Sequence, residues 1–403
     1  MKKQQWTGYF TALFIFSFAS ESTELPSKFS NNLIYLTPQL NDQTRVTFFT
    51  DTGGGWNAIS KQLSDKYQWP VTDRNTENGI IQVTDMPNFD ASASVPKAGL
   101  NNWWAGKMQV VPKNDLSHHN DVDGVLGGRW HAEKIIDFNY PRKSISVLSA
   151  VPDISDFSEL HLGFQKNQHG QYTMAFPRIE ITISGQKLPM LLDTGASAWP
   201  SDGAMQAIGL PGRQIATSFI VASIFDHWAL SHPDWLTIDN ACTLSKQSMI
   251  RVPEISIGDE IIGPVWFTRR PDKSFHQYMS SMMDKRIEGA LGGSALQHIR
   301  LVVDYHKELA YAASALQPAS SSEVDIQTLV EKINKDNVVR SDSASKWIQA
   351  SPKVTHLVEE HRQHLYNRGT TVTGFDCDRD GRADDAEKCL FLYRQLVRYI
   401  EQH

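Results

Sequence analysis

Cysteine is scarce in this chain, three in 403 residues. So few exclude a disulfide scaffold, and the fold must rest on a buried hydrophobic core. Cys377 and Cys389 stand close enough in sequence to pair in an oxidising compartment, which leaves Cys242 single and expected to be buried. Long runs of one charge are missing too. Lys and Arg number 39 against 45 Asp and Glu, a net charge of −6, which argues against a nucleic-acid-binding surface. No segment beyond the N-terminus is apolar enough to span a membrane. Motifs for a Ser or Cys nucleophile and a zinc-binding His-Glu helix are absent, which disfavours those routes to hydrolysis.

What is present fits a globular protein. Apolar residues make up 40% and charged residues 21%, and the length allows two or three domains with a substantial core. Met1-Lys2-Lys3 is a positive start, residues 9–18 form a short apolar run, and Ser17-Phe18-Ala19 offers small residues where a signal peptidase reads. That run is too short to cross a bilayer comfortably. The expectation is an exported protein, periplasmic or secreted, with residues 1–19 removed; a retained anchor is the competing reading.

The stretch Leu191-Leu192-Asp193-Thr194-Gly195-Ala196-Ser197 organises the rest. An apolar run leads into a Gly-permitted tight turn that fixes one carboxylate. Asp and Gly are ordinary turn formers, so one copy alone says little. A second copy, Phe48-Phe49-Thr50-Asp51-Thr52-Gly53-Gly54-Gly55, lies 142 residues earlier (193 − 51). Each copy is followed by a second matching block. Gly124-Val125-Leu126-Gly127-Gly128 and then Ile135-Ile136-Asp137-Phe138 follow Asp51. Gly289-Ala290-Leu291-Gly292-Gly293 and then Val302-Val303-Asp304-Tyr305 follow Asp193. Two signatures in the same order, twice, indicate an internal duplication.

On these four blocks the chain resembles the aspartic proteases, over residues 32 to 312. The run from Phe176 to Gln186 and on to Asp193 reads as strand, turn, strand, active turn, and is similar to the retroviral-type (retropepsin-like) branch. The resemblance implies a mainly β, two-lobed acid-protease fold in a single chain, with lobes at 20–157 and 158–314. It implies that Asp51 and Asp193 form a catalytic pair sharing one proton and activating a water, with peptide or protein as substrate. Thr52, Gly53, Thr194, Gly195 and Ser197 would support the two active turns. Because the duplication supplies both halves, a monomer with one site is expected. The first turn departs from the family pattern, since Gly54 and Gly55 stand where hydroxyl residues are usual. A weakly active or inactive peptide-binding protein of the same fold is therefore the alternative, and a calcium-dependent adhesion or structural role a third.

Between the blocks the reading is looser. In the family's order a mobile flap falls in the Gly/Ser/Asn-rich residues 91–106, which include Trp103 and Trp104; a plain surface loop is the other reading. His118 and His119 fit a solvated loop better than a metal site. The interval from Asp193 to Gly289 is 96 residues, against 73 from Asp51 to Gly124. The excess is expected at 220–248, where Trp228 and Trp235 would either shape a cleft or pack on the exterior. Ile255 to Ile262 alternates like a hairpin.

Residues 315–322 read as a linker, and 323–403 as a small α-helical module. Within it, Asp376 to Glu387 fits the twelve-residue EF-hand calcium loop. Asp376, Asp378, Asp380, Arg382 through its backbone carbonyl, Asp384 and Glu387 occupy the ligand positions, and Gly381 the sharp bend. Ala383 replaces the usual β-branched residue, and the entering segment is not helical in pattern. A structural Ca2+ is expected there, with an acidic turn capping the last helix as the alternative.

Overall fold

The computed structural model describes residues 22–314, apart from 77–78, 100–104, 117–121, 211 and 234. The chain divides into two units, 1–315 and 316–403, and every described residue lies in the first. The signal segment, Trp103-Trp104, His118-His119, the linker, the calcium loop, Cys377 and Cys389 fall outside the described residues.

The unit is mainly β, and its two halves repeat one pairing pattern. In the first half, strand Phe48–Thr50 runs parallel to Gly124–Leu126, which pairs antiparallel with Asn57–Ser60. Asn57–Ser60 in turn runs parallel to Lys107–Val111. In the second half, Gln186–Leu192 runs parallel to Gly289–Leu291, which is antiparallel to Ser218–Val221. Ser218–Val221 runs parallel to Val265–Arg270. The repeated sequence blocks thus become the same four neighbouring strands in two sheets, of eight and nine strands.

Sequence pattern explains these strands. Arg178–Ile183 buries Ile179, Ile181 and Ile183 and leaves the residues between partly exposed, as period-two alternation requires. It turns at Ser184-Gly185 into Gln186–Leu192, as its sequence predicts. The hairpin Ile255–Ile257 with Glu260–Ile262 also forms. Phe48 and Phe49 are both buried because their strand lies inside its sheet with both faces covered.

A third, six-stranded sheet takes strands from both halves. Its centre is the antiparallel pair Ile135–Asn139 and Ile299–Asp304, flanked by Ser144–Leu148 and Leu309–Ser314. Across this junction the Arg300 guanidinium grips Asp137 with bonds of 2.7 and 3.1 Å. Phe138, Ile136, Leu301 and Val303 are buried beside it.

One sequence expectation needs correction. The extra residues of the second half do not fall at 220–248. Pairing register matches Asn57 with Ser218, yet six residues separate Asp51 from Asn57 and 25 (218 − 193) separate Asp193 from Ser218. The inserted segment is therefore 196–217, with the pair Ser197–Ala198 and Ile215–Ala216 closing it around the helix Asp202–Ile208. Residues 220–248 hold instead the helix Ala222–Ser231, whose Trp228 packs edge-on against Phe267 at 5.5 Å in the core. Residues 100–104 of the segment where a flap or a surface loop is expected lie outside the described residues. Described residues of 91–106 form a short 3-10 turn, Ala91–Ala93, whereas a long hairpin joins Thr72–Thr76 to Gly79–Asp85. Gly79 opens the second strand opposite Thr76, with a φ of +112° that glycine accommodates.

Candidate active site

Each active turn begins where a buried strand ends, and backbone hydrogen bonds fix both ends in place. The amide of Asp51 donates to the Leu126 carbonyl at 3.0 Å and that of Asp193 to the Leu291 carbonyl at 2.9 Å. The parallel strands Gly124–Leu126 and Gly289–Leu291 therefore set the height of the two carboxylates. Inside each turn the carboxylate accepts a backbone N–H two residues on, Gly53 to Asp51 and Gly195 to Asp193, both at 3.0 Å.

The two threonines lock the turns together. Thr52 donates through its hydroxyl to the Leu192 carbonyl at 2.6 Å and accepts the Thr194 amide at 3.0 Å. Thr194 returns the pattern, donating to the Thr50 carbonyl at 3.3 Å and accepting the Thr52 amide at 3.2 Å. Both side chains are buried, where an unmade hydrogen bond is costly.

Glycine is required for close approach. A Cβ on Gly53 would stand 2.7 Å from Asp193 Cγ, and one on Gly195 would collide with Asp51 Cγ. Each turn's glycine is thus the bed on which the opposite carboxylate lies. Gly54 answers the departure noted in the sequence: a Cβ there would meet Asp51 Oδ2 at 2.6 Å. The first carboxylate occupies the space a side chain at 54 would need.

Asp51 and Asp193 thus face each other across the two glycines. Loss of hydration raises both carboxyls. Asp193 is held well above the usual carboxylate range, by burial first and then by the charge of Asp51. Asp51 is raised by burial, offset by hydrogen bonds from Asp193 and the Gly53 and Gly54 amides. Although both remain partly open to solvent, protein surrounds them on most sides, and that crowding governs their titration. Two such carboxyls share one proton between them.

The Gly-Gly blocks behind the turns carry partners that the sequence did not reveal. Asn57 Oδ1 accepts the Gly127 amide at 2.9 Å, and Ser218 Oγ accepts the Gly292 amide at 3.1 Å. Matching roles with different residues, at different spacings from the Asp, leave no signal to read. His131 adds a one-sided feature. Its Nδ1 lies 2.9 Å from the Gly127 carbonyl and donates to it, and burial pushes its pKa down to about 3. Ser197 departs from its expected role: its hydroxyl accepts from Gln214 Nε2 at 2.9 Å and secures the inserted segment, not the Asp193 carboxylate.

Among the described residues no group of three or more His, Cys, Asp or Glu side chains is arranged to hold a metal ion. Among them, too, no helix is long and apolar enough to cross a membrane. Cys242 is free and buried.

No family model and no curated protein matches this chain. Among solved structures it is similar to basic 7S globulin from soybean, at 9% identity and a TM-score of 0.40. That likeness covers 75% of this chain and 97% of the globulin.

Proposed function

We propose that this chain is an aspartic endopeptidase of the two-lobed, retropepsin-like kind, exported from the cytoplasm. The observation that carries the reading is the placing of Asp51 and Asp193 face to face, each carboxyl lying against the glycine of the opposite turn, with both carboxyls raised by burial. Two carboxyls in that state supply a base and an acid side by side. Asp51, ionised, takes a proton from a water held between the pair. Asp193, neutral, donates to the oxygen of the scissile carbonyl. The water oxygen bonds to the carbonyl carbon, the resulting diol collapses, and the amine leaves with a proton returned through the pair.

The remaining parts of the site serve rigidity. Thr52 and Thr194 hold the turns in register, and Gly53, Gly54 and Gly195 admit the carboxyls to one place. A pair held so needs little reorganisation as charge moves. Both halves of the site come from one chain, so a monomer suffices.

The C-terminal loop, Asp376 to Glu387, is proposed to bind Ca2+ on its sequence pattern alone. Its role is to order its own module.

The deciding test is cleavage of an unfolded protein from acid to neutral pH. Wild type should cut it, and Asp51→Asn and Asp193→Asn should not. Full activity in either variant would refute the paired mechanism; binding without cleavage in wild type would favour the peptide-binding alternative.

A further inference from the structure

Arg270 closes the strand Val265–Arg270, whose neighbour is Ser218–Val221. Side chains alternate across a strand, and the register Phe219↔Thr268 and Val221↔Arg270 puts Arg270 on the face that carries Phe219. Phe219 and Val221 cluster on that face with Leu191, which lies two residues before Asp193 and therefore on its side of the sheet. The Arg270 guanidinium stacks on the Phe219 ring, 4.1 Å from its centroid. Loss of hydration lowers its pKa, while nearby Cys242 and Asp193 oppose that shift.

This guanidinium makes no hydrogen bond and no ion pair with any described residue. Three other half-buried arginines of the unit are each paired with a carboxylate. Arg269, one residue earlier, forks onto Asp226 at 2.8 and 2.7 Å. Arg178 grips Asp284, and Arg300 grips Asp137. A half-buried guanidinium whose donors meet no protein acceptor is left with its planar fork free to receive an anion from solvent. Asp193 is near enough to be felt but is not that anion, since the two form no ion pair.

The duplication does not explain the charge. In the first half the register Ser60↔Val111 makes Val111 the counterpart of Arg270. Val111 is buried among Phe49, Ala58 and Val125. One half of the site is therefore apolar where the other presents a cation.

We infer that Arg270 is the receptor for a carboxylate on the bound peptide, so that the chain selects an Asp or Glu side chain at a fixed distance from Asp51 and Asp193. A planar fork of N–H donors matches a carboxylate with two parallel bonds, and stacking on Phe219 holds the fork in orientation. A single negative charge also suits a neighbourhood that already holds the charge of the aspartyl pair, which would repel a dianion such as phosphate. The location of this subsite rests on the peptidase reading, but its binding does not require catalysis.

The test uses the full chain and peptides in pairs that differ only by Glu against Gln at one position, scanned along the sequence. Binding is followed by fluorescence anisotropy in the Asp51→Asn background, with Arg270 intact, Arg270→Lys or Arg270→Gln. Cleavage of the same peptides is followed separately with Asp51 in place. With Arg270, one Glu peptide should bind at least about tenfold tighter than its Gln twin, the worth of one good charged contact. Arg270→Gln should bring that ratio close to one, and Arg270→Lys should keep part of it. Amidating the peptide C-terminus distinguishes the source of the charge: a preference lost on amidation belongs to the terminal carboxylate and overturns the side-chain assignment. A Glu preference that Arg270→Gln leaves intact, no preference at any position, or no peptide binding overturns the inference. Should Arg270→Gln fail to fold, Arg270→Lys and the Glu-to-Gln comparison on the intact receptor still decide it. Arg270-dependent binding without any cleavage would refute the peptidase reading and leave this inference standing; cleavage blind to Glu would do the reverse.

Discussion

The hydroxyl of Thr52 makes shorter hydrogen bonds across the junction than the hydroxyl of Thr194 makes in return. Thr52 bonds at 2.6 and 3.0 Å, Thr194 at 3.3 and 3.2 Å. The lock is reciprocal but unequal. Thr52→Val strands a buried amide and a buried carbonyl, at a cost of roughly 1–3 kcal/mol for each group left unsatisfied. Thr194→Val should cost less. Urea denaturation of the two variants gives the ranking, and equal losses would show that the lengths carry no energetic meaning.

The aspartyl pair should trade stability for chemistry. Asp193 has a raised pKa in the folded state, so its contribution to stability is present in acid and is lost as pH rises through that pKa. Asp193→Asn should therefore raise Tm at neutral pH and leave it nearly unchanged near pH 3. Cleavage by the same variant should fall by roughly 10²–10⁴-fold, the scale of general acid–base catalysis. In wild type, activity should decline as pH rises, because the neutral acid disappears. A Tm that drops at pH 7 in Asp193→Asn would contradict the crowding of charge.

Gly54 should tolerate no side chain without loss. Gly54→Ala places a methyl 2.6 Å from Asp51 Oδ2 as that oxygen now lies, and the carboxylate must swing away. A roughly tenfold or greater fall in kcat is expected, since small misplacements of reacting groups are costly. Tm should move little, because the displaced atoms end a flexible side chain. Unchanged kcat would mean that Asp51 has a second productive orientation.

His131 should make the fold sensitive to acid. It is buried with Nδ1 on the Gly127 carbonyl, and its pKa of about 3 lies below the unfolded value near 6.5. The unfolded chain binds the extra proton first, so stability is full above about pH 6.5 and falls as pH drops toward 3. The slope for one proton is about 1.4 kcal/mol per pH unit. His131→Asn keeps a donor for the carbonyl and removes the titration, so the difference in pH slope between variant and wild type isolates this residue. Equal slopes over about pH 4–6 would show that acid stability is set elsewhere.

Calcium should act on the C-terminal module. Calorimetry on the full chain should detect binding, and Glu387→Gln should weaken it most, because the last loop residue closes the coordination shell with two oxygens. Peptide cleavage should stay within a few-fold in a chelator. Abolished cleavage would make the module a regulator of the site.

Much of this site could be read from the sequence because its signals are local. Asp51, Asp193 and the Gly-Gly blocks sit in short motifs, and a motif repeated in order reports a repeated structure. The pairing of Thr52 with Thr194 follows once the two turns are brought face to face. Other parts depend on register between distant strands. Asn57 and Ser218 do one job with different side chains, and only their shared position opposite Gly127 and Gly292 reveals it. Segment 196–217 is silent in the sequence because an insertion directly after an active turn changes interval lengths without changing composition. Arg270 is one arginine among many in the sequence; its lack of a partner exists only in three dimensions.

The sheet shared by the halves gives the molecule a seam that could be cut. Residues 149–157 carry no strand, and the junction itself is the pair Ile135–Asn139 and Ile299–Asp304 with Arg300 on Asp137. A nick in that connection leaves every paired strand and all four threonine hydrogen bonds intact, so the severed pieces stay together as a two-chain molecule. Expressed apart, they would form a complementation pair whose activity appears only when the pieces meet.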